Sequence, residues 1–252
     1  MPQNDNDWIA GAAKALAIIE AFDEDHPRMN ATQIGVRAEM SRTAARRYLL
    51  TLHGLGYVET DGRTFWLAPR VVRLGTAYFA SARLPRIAQP FLQRITSAVH
   101  ESALLAVLDG DDVVYVARNA ANRVLPVGFV LGSRAAAPLS SAGMVLLAHQ
   151  DQERRDAMLA AYEPVAFTPQ TVLDRKVLRK ELEQIRKVGY MLSEQQLEPG
   201  MRGVSVPLRD HAGSVVAALS VSMPIGRESA NTALARVLPV LQETASLLRP
   251  VV

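Results

Sequence analysis

The stretch Asn30-Ala-Thr-Gln-Ile-Gly-Val-Arg-Ala-Glu-Met-Ser-Arg-Thr-Ala-Ala-Arg-Arg-Tyr-Leu-Leu-Thr-Leu52 decides the fold of the first part of the chain. Asn30 followed by Gln33 three residues later nearly matches a capping box and predicts the start of a helix. A tight turn follows at Glu39-Met40, and Ser41 is a suitable cap for a second helix. The inner face of that second helix is apolar and consists of Ala45, Leu49 and Leu52. Two helices joined by a tight turn predict a helix-turn-helix.

The flanking segments complete this unit. Residues 11–24 predict an earlier helix, whose apolar side consists of Leu16, Ile19 and Phe22. Two runs at 57–59 and 64–67 are rich in β-branched and aromatic residues, and Asp61-Gly62 between them is a hairpin signal. The order of helix, helix, turn, helix and hairpin predicts a winged helix-turn-helix DNA-binding domain over residues 1–68.

The outer face of the second helix of the pair carries residues suited to reading DNA. In a helix-turn-helix this helix lies in the major groove, and an Arg side chain can hydrogen-bond both O6 and N7 of guanine. Arg63, at the hairpin tip, is predicted to contact a phosphate or the minor groove. The predicted DNA-binding residues are therefore Ser41, Arg42, Thr43, Arg46, Arg47 and Arg63. The alternative is a merely solvated basic face, because the charges of residues 1–75 balance and the excess is confined to 37–47.

A linker helix is predicted next, over residues 69–84. Pro69 suits the first position of such a helix. Its apolar side is larger than a lone surface helix should show and includes Val72, Tyr78 and Phe79. We therefore expect this helix to pack on a partner subunit or domain.

Residues 85–252 alternate between helical and strand patterns. One strand is predicted at 124–131, and a closing helix at 231–248 should be kinked or broken by Pro239. The acidic run 109–112 is interpreted as a turn between strands and not as a metal site. This order predicts an α+β domain with a mainly antiparallel sheet flanked by helices.

Composition argues against several classes of protein. The 252 residues contain no Cys, and the net charge of +3 permits nucleic-acid binding without requiring it. No apolar run approaches the roughly 18–20 residues of a membrane-spanning helix, and the N-terminus lacks the basic start of a secretory signal. We therefore expect a cytoplasmic protein without membrane contacts. The five histidines are scattered and no nucleophile-elbow or phosphate-loop motif occurs, which predicts no enzyme activity, no metal site and no cofactor.

Several separated motifs, in a fixed order, point to one family. The N-terminal ones lie at 15–22, 41–44 and 52–57, and the C-terminal ones at 132–148, 189–190, 198–200 and 215–222. With these motifs the sequence resembles the isocitrate lyase regulator (IclR) family over nearly the whole chain. Segments 169–172, 198–202 and 206–210 resemble in particular the branch that regulates β-ketoadipate-type aromatic acid catabolism. The resemblance implies a GAF-like effector-binding domain over residues 85–252, although Gly143-Met144 departs from the Gly-Lys or Gly-Arg common in the family.

Effectors of that family are mostly small carboxylates, and the matching segments suit one. Residues 138–143 open a helix whose free N–H groups and positive dipole end can receive an anion. Strand alternation places two serines of the last strand on one face, and an Arg can pair with a carboxylate through two hydrogen bonds. The predicted effector-binding residues are Arg134, Ser140, Ser141, Ala142, Glu194, Ser220 and Ser222. The alternatives are that the serines before the helix only cap it and that those of the strand face solvent.

These features together predict a sequence-specific DNA-binding transcriptional regulator of a catabolic operon, controlled by a small aromatic or dicarboxylic acid. We expect a homodimer or a dimer of dimers on double-stranded operator DNA, with recognition helices about one helical turn apart. The alternative is a small-molecule sensor or an enzyme of aromatic acid metabolism, whose helix-turn-helix does not bind DNA.

Overall fold

The computed structural model describes residues 8–121, 129–226 and 228–252. The chain divides into two compact units between Ala80 and Ser81. This division falls inside the predicted linker segment, so residues 69–84 contribute to the end of the first unit and the beginning of the second.

Three helices precede a hairpin in the first unit. The elements are α1 (Ala10–Glu20), α2 (Ala31–Arg37), α3 (Arg42–Gly54), β1 (Val58–Thr60) and β2 (Phe65–Leu67). The two strands pair antiparallel. This order confirms the predicted winged helix-turn-helix.

The starts of α2 and α3 are capped by the side chains that the sequence indicates. Asn30 Oδ1 accepts hydrogen bonds from the amides of Thr32 and Gln33 at 2.9 and 3.0 Å, and Gln33 Oε1 accepts one from the Asn30 amide at 2.9 Å. Ser41 Oγ accepts a hydrogen bond from the Ala44 amide at 3.2 Å. These bonds satisfy helix-terminal N–H groups that the helices themselves cannot pair.

The core of the first unit lies between the three helices and the hairpin. Its buried side chains include Ile18, Ile34, Ala45, Leu49, Leu52 and Phe65, so the predicted inner face of α3 is confirmed. The prediction for α1 was wrong at Leu16, which is 52% exposed. Leu16 and Ile18 are about 200° apart around a helix of 3.6 residues per turn. Because Ile18 faces the core, Leu16 faces outward.

The predicted linker helix is divided into two pieces. A short 3-10 turn at Pro69–Val71 leads into α4 (Val72–Ser81), and α5 (Arg83–Val99) begins after Ala82. No residue of α4 is buried, although Val72, Leu74 and Tyr78 are exposed by 69, 44 and 44%. The apolar side of α4 is thus open to solvent in the single chain.

The second unit is built on a six-stranded antiparallel sheet. Its strands are β3 (Ser102–Asp109), β4 (Asp112–Asn119), β5 (Arg134–Ala136), β6 (Met191–Glu194), β7 (Met201–Arg209) and β8 (Val215–Pro224). Their order across the sheet is β5-β4-β3-β8-β7-β6, so the two longest strands, β7 and β8, are neighbours. The long pairing of β7 with β8 fixes which of their side chains share a face.

Helices cover both faces of this sheet. One face packs against α5 and α9 (Ala230–Leu248), and the other against α6 (Ser141–Ala148), α7 (Gln152–Ala161) and α8 (Arg175–Val188). All eight residues of α6 are buried. Because α6 is enclosed on every side, the N–H groups at its start are directed into the protein and not into bulk water. Within the described parts of the chain, no helix combines the length and apolar character needed to cross a bilayer.

Several details of the second unit differ from the sequence expectations. The helix α9 is continuous through Pro239, so of the predicted kink or break the break does not occur. The predicted strand at 124–131 lies mostly outside the described residues, and its described end, 129–131, is not in a strand. The helix α7 and the strand β6 were not anticipated, because neither has a strong apolar periodicity.

Candidate functional site

The N-terminal half of α3 presents a basic outer face. Arg42, Thr43, Arg46 and Arg47 are all exposed. Arg37, in the same basic stretch, is bonded within the protein and is not available to contact DNA. Arg37 Nε donates to the Ala21 carbonyl at 2.7 Å, and its guanidinium also pairs with Asp23. The structure gives Arg42, Arg46 and Arg47 no ion-pair partner among the described residues. Ser41 is exposed at the start of α3, where its hydroxyl caps the helix.

The hairpin tip carries Arg63 on a tightly bonded turn. Asp61 Oδ1 accepts hydrogen bonds from the amides of Arg63 and Thr64 at 2.9 and 2.7 Å. These bonds, with that from the Thr64 hydroxyl, lower the pKa of Asp61 to about 2. Gly62 has a φ of +91°, a conformation that other residues rarely adopt. The turn therefore holds the Arg63 backbone in place while its side chain remains exposed.

A cavity in the second unit lies where the start of α6 meets β6, β7 and β8. The cavity is small, with a volume of about 50 Å³. The hydroxyl-bearing lining consists of Tyr115, Ser140, Ser141, Ser193, Ser220 and Ser222. The apolar lining consists of Leu104, Phe129, Leu139, Leu197 and Met201. The cavity thus combines a polar end with an apolar wall.

The polar end is built on the N-terminus of α6. Ser140 Oγ accepts a hydrogen bond from the Gly143 amide at 2.9 Å, so Ser140 caps the helix as the sequence alternative proposed, and it also lines the cavity. The amides of Ser141 and Ala142 have no acceptor among the described residues. These first-turn N–H groups and the positive end of the helix dipole favour an anion.

Three serine hydroxyls form a continuous chain beside this helix end. Ser205 Oγ lies 2.8 Å from Ser141 Oγ and 2.8 Å from Ser220 Oγ, and Ser205 is fully buried. A hydroxyl carries one proton, so Ser205 donates to one neighbour and accepts from the other. Two hydrogen bonds consume two of the three protons. One proton therefore remains, on Ser141 or on Ser220, for a ligand in the cavity.

An aromatic pair forms part of the cavity wall. The rings of Tyr115 and Phe129 stack with centroids 4.4 Å apart and an interplanar angle of 16°. Burial raises the pKa of Tyr115 far above its usual value, and its hydroxyl shares a hydrogen bond with the Ser140 side chain. The phenol therefore stays protonated and couples the aromatic wall to the helix cap.

Two glycines allow backbone and side chains to approach closely here. A Cβ on Gly143 would lie 2.2 Å from the Ala137 carbonyl oxygen, so α6 can begin where it does only with glycine at this position. A Cβ on Gly203 would lie 2.5 Å from Ser141 Oγ and 3.3 Å from Ser193 Oγ. The absence of a side chain at Gly203 thus leaves room for the Ser141 hydroxyl.

Glu194 is engaged within the protein. Its Oε1 accepts hydrogen bonds from Arg202 Nε at 2.8 Å and from Arg202 Nη2 at 2.6 Å. Arg202, which is 3% exposed, also donates to the Glu228 carbonyl at 3.3 Å. Glu194 lines an adjoining cavity and not the one described above. The side chain of Arg202 also lines the serine-lined cavity, but its positive charge is paired with Glu194.

Arg134 also lies away from the cavity, contrary to the role expected for it. The pairing of β4 with β5 brings Arg134 beside the turn at 109–112. Arg134 Nη1 donates to Asp109 Oδ2 at 2.6 Å, and its Nε donates to Asp112 Oδ2 at 3.2 Å. Ala142 is likewise not among the lining residues, although its amide belongs to the helix end at the cavity. Of the predicted set, Ser140, Ser141, Ser220 and Ser222 come together.

Sequence reasoning missed several parts of the site. Tyr115 is part of an apolar strand run and reads as core, and Ser205 likewise lies within the apolar β7 pattern. Alternation along β7 and β8 could have indicated Ser205, because it lies opposite Ser220 in the antiparallel register. No signal in the sequence indicates the contact of Ser205 with Ser141, because these residues are 64 positions apart.

Comparisons with known proteins cover nearly the whole chain. Residues 11–62 match the family model of the IclR helix-turn-helix domain, and residues 76–249 match that of the bacterial transcriptional regulator IclR C-terminal domain. The chain is 40% identical over 238 residues to the Pca regulon regulatory protein of Pseudomonas putida, covering 94% of this chain and 82% of that relative. It is 39% identical over 251 residues to the p-hydroxybenzoate hydroxylase transcriptional activator of Acinetobacter baylyi, covering 98 and 93% of the two chains. A crystal structure of an IclR homolog complexed with 4-hydroxybenzoate, from Microbacterium hydrocarbonoxydans, is similar with a TM-score of 0.75 at 28% identity, covering 94 and 96%.

Proposed function

Because this chain belongs to the IclR family of bacterial transcriptional regulators, it is a DNA-binding regulator and not an enzyme, and we propose that its effector is a hydroxylated aromatic carboxylate held in the serine-lined cavity. Two relatives are named for the Pca regulon and for activation of p-hydroxybenzoate hydroxylase, and a structural relative holds 4-hydroxybenzoate. By analogy, the genes that this chain controls belong to aromatic acid catabolism.

One observation carries the effector proposal: the cavity joins a helix N-terminus and a serine chain to a stacked aromatic wall. The amides of Ser141 and Ala142 and the spare proton of the serine chain are donors for a carboxylate. The apolar wall with Tyr115 and Phe129 accepts a planar ring, since aromatic rings prefer offset-stacked or edge-to-face contacts. A benzoate presents its carboxylate and ring in the arrangement that these two ends require.

Calorimetric titration of the purified protein tests this proposal. We expect 4-hydroxybenzoate to bind more tightly than 4-hydroxybenzamide, which lacks the charge, and more tightly than cyclohexanecarboxylate, which lacks the aromatic face. Ser141→Ala should weaken binding, whereas Ser214→Ala, a serine in an exposed turn, should not. Equal affinity for the acid and its amide would show that the helix end and serines do not receive a carboxylate.

For DNA we propose that Arg42, Thr43 and Arg46 read bases, that Ser41 sets the start of the recognition helix, and that Arg63 contacts the backbone beside the groove. The support is the exposed basic face of α3 and the fixed turn under Arg63. Effector occupancy changes operator affinity only if the acid prefers one of two arrangements of the protein. A mobility-shift titration with and without 4-hydroxybenzoate measures that preference, and an unchanged operator affinity at saturating effector would refute the coupling.

We further propose that the chain acts as a homodimer, or a dimer of dimers, through α4. The support is that α4 has an apolar side and no buried residue, which a lone helix would expose to water at a cost. A second copy of the same helix would cover that side with an isologous contact. Sedimentation of the full-length protein measures the oligomeric state, and a monomer at all concentrations would contradict this assembly.

A further inference from the structure

A basic notch lies on the flank of the recognition helix, between α1 and α3. It is lined by Lys14, Ala44, Arg47, Tyr48 and Thr51. Lys14 comes from α1, whereas the other four residues share one face of α3, at spacings of three and four along it. Two cations and two hydroxyls therefore converge on one concave surface.

The two positive charges of this notch, Lys14 and Arg47, are not paired with acidic side chains of the described residues. Lys14 and Arg47 are exposed, and the structure gives neither an ion-pair partner among the described residues. The Thr51 hydroxyl donates to the Arg47 carbonyl at 3.0 Å, so its oxygen can still accept a bond while it holds the local helix turn. Two uncompensated cations side by side repel each other unless an anion lies between them.

We propose that this notch binds a phosphate of the operator backbone and that Arg47, with Lys14, anchors the protein without reading sequence. This inference rests on the DNA contacts proposed above and divides them by role. Arg47 shares the exposed face of α3 with Arg46, but its side chain also lines the notch next to Lys14. Arg46 does not line it and remains free for base edges. A phosphate between α1 and α3 would fix the angle at which the recognition helix enters the groove.

Salt dependence and sequence discrimination separate the two roles. Binding of the full-length protein is measured by fluorescence anisotropy over a range of KCl concentrations, on the operator duplex and on a scrambled duplex of equal length. We expect Lys14→Gln and Arg47→Gln each to reduce the slope of log K against log salt by up to about 0.9 for every bound copy of the chain, because the notch holds one phosphate. The operator-to-scrambled affinity ratio should stay unchanged in both. Arg46→Gln should instead lower that ratio.

Conservative variants and a matched control sharpen the test. A phosphate needs only a positive charge, so Lys14→Arg and Arg47→Lys should keep the slope, whereas Arg46→Lys should lose discrimination with its bidentate fork. Lys180→Gln removes the same charge from an exposed position of the second unit and should leave both readouts unchanged. Two outcomes would overturn the phosphate-binding role of the notch without contradicting DNA binding. One is an unaltered slope in Lys14→Gln, and the other is a loss of discrimination in Arg47→Gln as large as in Arg46→Gln. Absence of salt-sensitive binding by the wild-type protein would instead refute the DNA function itself, and the notch with it.

Discussion

Replacing Gly203 by Ala should weaken effector binding while leaving the protein folded. The new Cβ would lie 2.5 Å from Ser141 Oγ, a distance that van der Waals repulsion does not permit. The Ser141 side chain must therefore rotate away, which breaks its 2.8 Å hydrogen bond with Ser205 and withdraws the Ser141 hydroxyl as a donor to the carboxylate. Gly203 does not have a positive φ, so its backbone accepts Ala without strain.

The size of the effect follows from the bond that is lost. A hydrogen bond to a charged group contributes about 1.5–3 kcal/mol. At about 1.4 kcal/mol per tenfold change in affinity, Gly203→Ala should weaken binding of 4-hydroxybenzoate about 10- to 150-fold. The accompanying overpacking costs about 1–3 kcal/mol of unfolding free energy, which a domain of this size tolerates.

Calorimetry with 4-hydroxybenzoate measures the affinity, and thermal melting verifies the fold. Gly226→Ala is the matched control, because a Cβ at Gly226 meets no atom within 4 Å. In the absence of effector, operator binding by Gly203→Ala should equal that of the wild type. Wild-type effector affinity in a folded Gly203→Ala protein would refute the reasoning, because the carboxylate could not then depend on the Ser141 hydroxyl.

Three further predictions concern the first unit and α4. Asn30→Ala removes the cap that also bonds Gln33 and should cost about 0.5–2 kcal/mol of unfolding free energy, measured by urea denaturation. Leu74→Asp places a charge on the exposed apolar side of α4 and should shift the protein toward monomer in sedimentation. The carboxyl of Asp61 should titrate by NMR with a pKa of about 2 and not at the usual aspartate value of 3.8, because the Thr64 amide and its other donors bond the ionised form. Since the pKa is lowered on folding, this stabilisation of the turn is present above pH 3.8 and is lost as the pH falls through about 2.

The fold of the first unit was readable because its signals are local. The capping box at Asn30, the cap at Ser41 and the apolar stripe ending at Leu52 each lie within a few residues of the element that they define. The error at Leu16 arose because α1 is apolar on several sides, so periodicity alone did not select the inner one. The packing of Ile18 in the core of the first unit determines which side of α1 faces inward.

The effector site was readable only in part, because its geometry depends on strand register. Alternation along β8 correctly placed Ser220 and Ser222 on one face. The roles expected of Arg134 and Glu194 depend on which residues lie opposite them, and the register puts acidic residues beside Arg134 and Arg202 beside Glu194. Each of these charges has an intramolecular partner nearby. An ionic residue in a segment that matches the effector domain therefore does not by itself predict a contact with the ligand.

The proposed site would hold an acid with neutral donors, and this affects the stability of the cavity when the effector is absent. Arg202 is the one cation among the described lining residues, and Glu194 neutralises it. An unpaired Arg in the empty cavity would pay a desolvation penalty whenever the effector was absent. Amides and serine hydroxyls carry a smaller penalty, and the serine chain can satisfy two of its three protons without ligand. Neither the free nor the occupied cavity therefore holds an unpaired charge, and under the proposed coupling the acid shifts the population only by as much as its affinities for the two arrangements differ.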